Sequence, residues 1–112
     1  MRVAALFASD KDSEIVMHEY DLILPTDFDD YEWEVTAKGF FSEAFVTAGD
    51  KRYRLNFYDA VRLQQEIESA IQSGVVFFEP NLLVIKTVSK AEIKDAVESL
   101  MRSGQARLLL PE

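Results

Sequence analysis

The chain has 112 residues, 48% of them apolar and 12% aromatic, with a formal net charge of −8 and no cysteine. That length suits one domain, residues 1–112, and that apolar content excludes a disordered chain, which combines low hydrophobicity with high charge. The missing cysteines exclude disulfides, thiolate nucleophiles and zinc–thiolate sites, and the negative charge opposes phosphate backbones and anionic lipid surfaces, so neither nucleic acid nor membrane is expected as a partner.

The charge is unevenly placed. Residues 1–34 hold two basic side chains (Arg2, Lys11) and ten acidic ones, so the whole formal charge sits in the first third of the chain. The opening "MRVAALFASD" has one Arg and an apolar run from Val3 to Ala8. A secretory signal needs an apolar region of roughly 7–15 residues, and a bilayer span needs about 20. A cytoplasmic protein is expected, with a further strand possible at residues 2–8.

"EIVMHEYDLIL" (14–24) reads as a strand and "PTDFDD" (25–30) as a loop. "YEWEVTA" (31–37) alternates with period two, which predicts a strand carrying Tyr31, Trp33 and Val35 inward and Glu32 and Glu34 outward. "FVTAGDKRYRLNFYD" (45–59) reads as a hairpin turning at Gly49-Asp50. Its second arm places Tyr53, Leu55 and Phe57 on one face and Arg52, Arg54 and Asn56 on the other. If the two strands are neighbours, Glu32 and Glu34 face Arg52 and Arg54 across the sheet.

"DAVRLQQEIESAIQSG" (59–74) predicts a helix. Asp59 is its N-cap, Ala60, Leu63, Ile67, Ala70 and Ile71 form its apolar stripe, and Gly74 ends it. "VVFFEPNLLVI" (75–85) reads as two short strands joined by Glu79-Pro80-Asn81, because Pro presets the φ of the second turn position and Asn tolerates the third. "SKAEIKDAVESLMRSG" (89–104) predicts a second helix. Ser89 and Glu92 have capping-box spacing, Ile93, Ala96, Val97, Leu100 and Met101 share one face, Arg102 suits the last turn and Gly104 the left-handed cap. "ARLLL" (106–110) reads as a last strand.

Tight turns make antiparallel neighbours and two amphipathic helices need a sheet to cover. The expected fold is therefore α+β: a single mostly antiparallel sheet of about 6–7 strands, with two helices over about 59–73 and 90–103 packed on one face.

Several clusters carry side chains suited to chemistry. "DFDDYEWE" (27–34) has the carboxylates a hard cation wants, but the EF-hand spacing fails: the sixth position is Glu32 where Gly is needed, and the twelfth is Lys38 where Glu is needed. The residues Asp27, Asp29, Asp30, Glu32 and Glu34 are read either as a solvated acidic surface or as one that docks a protein partner with a basic surface. His18 is the only histidine and has no nucleophile placed to work with it. Arg62 and Glu66 have the i,i+4 spacing of a helix ion pair. Tyr53, Phe57, Tyr58, Phe77 and Phe78 are core aromatics or, less simply, the lining of a small pocket. The four glycines are isolated, so no phosphate-binding loop can be built. No cofactor and no metal is expected.

The expected function is that of a non-enzymatic interaction protein. Residues 75–85 are apolar on both strand faces, and a large exposed apolar surface on a soluble protein usually marks an interface. Self-association with twofold symmetry is the commonest solution, so a homodimer is expected, with Phe77, Phe78, Leu82 and Leu83 contributing. The chain's own N-terminal strands could instead cover that second face. The alternative function is a small enzyme or ligand-binding domain with its site between sheet and helices. Glu79, an acid inside the most apolar stretch, is its best candidate residue, unless it simply opens an exposed turn.

Overall fold

The computed structural model describes the backbone of residues 2–8 and 15–112, with side chains from Glu19 onward. Its strands are β1 (Arg2–Ala8), β2 (Ile15–Ile23), β3 (Phe40–Ala48), β4 (Lys51–Tyr58) and β5 (Leu82–Val84); its helices are α1 (Phe28–Lys38), α2 (Ala60–Gln72) and α3 (Lys90–Ser103), followed by a 3₁₀ turn at Gln105–Leu108. The class is α+β. One sheet runs in the order β1-β2-β3-β4-β5. Its first four strands form an antiparallel meander, and the three-residue β5 adds to β4 in parallel. The expected six or seven strands are too many and the expected two helices too few.

The alternation of β4 builds the core. Val46 faces Leu22 on one side and Tyr53 on the other; Ala44 faces Leu55; Phe57 faces Phe41 and Leu83. Residues directly opposite one another share a face. These side chains and Tyr20 form the sheet side of one core, which α1 closes with Phe28 and Val35 and α3 with Ile93, Val97 and Met101. A bulge between Phe41 and Ala44 sets two residues against Asn56 and keeps both flanking side chains on the core side.

Four elements differ from the sequence reading. Residues 31–37 lie in helix α1, not in a strand, and the same helix takes Phe28–Asp30 from the expected loop at 25–30. Phe28 and Val35, two turns apart, are its buried residues, while Gly39 takes a left-handed φ of 70° and its N–H bonds Val35 O to close the helix. Residues 75–79 form no strand, because β5 already occupies the edge of β4 at Asn56–Tyr58. Residues 105–108 form a 3₁₀ turn that places Ala106 and Leu109 against the core. Finally, the two expected helices do not share a face. The Arg62 guanidinium of α2 lies 5.6 Å over the Phe40 ring and donates to Lys38 O at 3.1 Å. Phe40 faces Tyr58 on the side of the sheet away from the core. So α1 and α3 cover one face and α2 rests over the other.

The expected caps form. Asp59 accepts from the Arg62 N–H and Ser89 from the Glu92 N–H. Gly39 and Asp59 sit at the junction of α1, β3, β4 and α2. The Asp59 N–H donates to Gly39 O, and a Cβ on Gly39 would run into the Asp59 carboxylate.

Beyond β5, the edge of β4 is held by the Asn81 side chain and by the Glu112 N–H, which donates to Arg52 O at 2.7 Å. Asn81 has a φ of 52°. Its backbone O accepts from the Asn56 N–H at 3.0 Å. Its amide donates to Arg54 O and Leu110 O, and its Oδ1 accepts from the Leu110 N–H, all at 2.8–2.9 Å. A side-chain amide thus presents donor and acceptor where a strand would present a peptide group, and it clips the C-terminal segment to the sheet. Asn also tolerates the left-handed conformation better than most residues. Replacing Asn81 with Ala should lower unfolding free energy by about 2–3 kcal/mol. Asn81→Gly, which keeps the conformation but not the bonds, should recover only part of that loss. Urea unfolding of the three proteins measures both.

Candidate interaction surfaces

The face of the sheet opposite the core is only partly covered. Toward one end, Arg52 and Arg54 stack over Phe45, at 3.9 and 4.9 Å from the ring centre, and both reach the Glu112 carboxylate, at 3.7 and 3.5 Å. A strand at residues 31–37 would set Glu32 and Glu34 against these arginines if it neighboured β4. With residues 31–37 helical on the other face, that pairing does not form.

Toward the other end, α2 and residues 75–79 lie over Phe40 and Tyr58. The Tyr58 ring is buried and packs against Phe40 at 4.9 Å and Phe77 at 6.3 Å between centres. Its hydroxyl donates to Glu79 Oε2 at 2.9 Å, while Glu79 Oε1 is buried without a hydrogen-bond partner. Burial is the main reason the Tyr58 hydroxyl titrates far above the ordinary tyrosine range, and the bond to Glu79 and its negative charge add to this. Glu79, expected either in a site or in an exposed turn, is half-buried and tethers the chain leaving α2. Arg62 and Glu66 form the expected i,i+4 pair at 2.7 Å.

Around this small anchor the surface is apolar and open. None of the residues of α2 is buried, although its sequence is amphipathic. Leu63, Ile67 and Ala70 are half-buried, but Val61 is 67% and Ile71 69% exposed. The next segment continues the patch: Val76 is 85% and Phe78 79% exposed, with Val75 and Val84 at half or more. Of the four residues expected at an interface, Phe78 is fully presented to solvent. Phe77 is half-buried on Tyr58, Leu82 is half-buried, and Leu83 packs on the core.

The acidic segment is divided between two tasks. Lys90 binds Asp29 through Nζ at 3.1 Å, and its backbone N–H donates to Glu32 Oε2 at 2.7 Å. A carboxylate at the start of α3 complements the helix dipole. Thr36 adds a bond to Val88 O at 2.7 Å. Asp29 and Glu32 therefore tie α1 to α3, whereas Asp27, Asp30 and Glu34 are exposed. Beside this tie, Leu22, Leu24, Phe28, Lys90 and Lys94 help line a cleft of about 270 Å³. Trp33, which the sequence reading turned inward, is 71% exposed on α1. Among the described residues no group of three carboxylate or imidazole side chains is arranged to hold a metal ion. The side chain of His18 lies outside the described residues. No helix among the described residues is long and apolar enough to cross a membrane.

The Tyr58–Glu79 pair gives a pH signature. The folded protein holds Tyr58 protonated at pH values where the unfolded chain ionises it. Stability is therefore unaffected below the ordinary tyrosine pKa of 10 and falls as pH rises beyond it. Tyr58→Phe should flatten that fall, with Tyr20 and Tyr31, also raised, supplying the remainder. Because it leaves both Glu79 oxygens unbonded, the same change should cost about 1–3 kcal/mol at pH 7. Urea unfolding between pH 7 and 11 tests both effects. Compared with protein-family models, curated proteins and solved structures, the chain matches none.

Proposed function

We propose that the protein is a non-enzymatic interaction module that pairs with a second copy of itself through the outer side of α2 and residues 75–78. The observation that carries this reading is an amphipathic helix with no buried residue, followed directly by an exposed apolar segment. Helices in globular proteins gain most of their stability from packing an apolar face, so one packed only as far as half-burial at Leu63, Ile67 and Ala70 points to a missing neighbour.

Val61, Ile71, Val75, Val76, Phe78 and Val84 together expose several hundred square ångströms, of the order of the roughly 800 Å² that each partner gives to a standard interface. Among the described residues no segment covers this patch. β1 and β2 stand at the far edge of the sheet from β5. A second copy is the favoured occupant because a twofold contact matches an apolar patch with its own equivalent and needs no charge complement; the six apolar residues dominate the surface, and Glu68 is the exposed charge beside them on α2.

Relative to the sequence reading, the contributing residues move. Phe78 stays, Leu83 leaves for the core, and Ile71, Val75 and Val76 join. Sedimentation at tens of micromolar should give the mass of two chains. Val76→Ser combined with Phe78→Ser should give one chain, with unchanged far-ultraviolet circular dichroism. A wild-type monomer at that concentration would sink the proposal.

A further inference from the structure

The second surface is the outward side of α1. Trp33 is the only tryptophan in the chain, and it projects from this helix 71% exposed. Tryptophan is costly to leave in water and is the side chain most enriched among residues that dominate binding energy. Its neighbours on the solvent side are Asp30, Glu34 and Ala37, all exposed. Asp30 precedes Trp33 by three residues, across the break in helical geometry at Tyr31.

The surface therefore combines a flat aromatic face with the exposed carboxylates of Asp30 and Glu34, whereas Asp29 and Glu32 tie α1 to α3. An indole face attracts a cation through its quadrupole, and guanidinium stacks on it better than ammonium because it is planar and more weakly hydrated. Flanking carboxylates supply the charge complement and steer the approach. Ala37 leaves room beside the ring.

We infer that the Trp33 face of α1 docks an arginine-bearing basic segment of a partner protein, with the indole stacking on a guanidinium and Asp30 and Glu34 pairing with flanking cations. This contact stands apart from self-pairing through α2. The core-side helices and α2 lie on opposite faces of the sheet, so both contacts can be made together.

The single tryptophan makes the test direct. An eight-residue arginine-rich peptide, titrated into the full chain, should change Trp33 emission in a saturable way that weakens with added salt. A peptide of equal length with glutamine in place of arginine should leave emission unchanged. Asp30→Asn with Glu34→Gln should weaken binding at least tenfold. Asp50→Asn with Asp95→Asn, which removes equal charge from the β3–β4 turn and from α3, should change it less than twofold. Trp33→Ala, followed by anisotropy of a labelled peptide, should weaken binding at least fivefold. The inference is overturned if Trp33→Ala binds as tightly as the wild type. It is equally overturned if the remote charge pair weakens binding as much as the local one, or if emission does not respond.

Discussion

What strand β4 does with its two faces and its outer edge decides the placement of everything after it. Its apolar face, Tyr53, Leu55 and Phe57, commits one side of the sheet to α1 and α3. Its other face carries Arg52, Arg54 and Asn56 and then, at its last residue, the buried Tyr58. That change from polar to aromatic gives α2 and residues 75–79 something to rest on, but only there. Asn56 is the pivot between the two regimes. It is buried, opposite the bulge in β3, and both its N–H and its side-chain amide are satisfied by the Pro80-Asn81 turn. A buried amide with unmet donors would cost several times what each of these bonds contributes, so the turn is held where Asn56 requires it.

Part of this was legible in the residues alone. The β3–β4 hairpin, the alternation of its second arm and the two capped helices all follow from local patterns that tertiary contacts reinforce. The error at residues 31–37 came from giving side-chain alternation precedence over punctuation. Trp33, Val35 and Thr36 favour strands, but an acidic first turn at Asp29 and Asp30, Lys38 in the last turn and Gly39 immediately after are helix start and stop signals. Phe28 and Val35, seven residues apart, fit the helical period as well as Tyr31, Trp33 and Val35 fit the strand period. Once the helix forms, Trp33 must point away from the face that buries Val35, and the candidate site on α1 appears.

Residues 75–79 failed differently. Their composition suits a strand, but strand formation needs a free edge, and that is a property of the sheet, not of the segment. β4 has one open edge. A parallel β5 after an α2 crossover takes its end, and Asn81 with the C-terminal segment takes the rest. Nothing local in "VVFFE" reports that competition. It leaves an apolar segment fixed at Phe77 and Glu79 and open at Val75, Val76 and Phe78, which explains why hydrophobicity was read correctly there and structure was not.

The two surfaces also differ in what binding at them can accomplish. The pairing proposed through α2 and residues 75–78 would draw its strength from apolar area removed from water and depend little on salt. The contact proposed at Trp33 would be small and electrostatically steered, forming fast and responding to ionic strength. With α1 and α2 on opposite faces of the sheet, a pair joined through α2 would carry two copies of the Trp33 face, neither buried by the pairing. Two weak contacts on one particle bind a partner with two basic segments far more tightly than either alone, because the second contact becomes intramolecular. Self-association on one face would then convert a weak ionic contact on the other into a selective one, favouring partners whose basic segments are spaced to reach both copies.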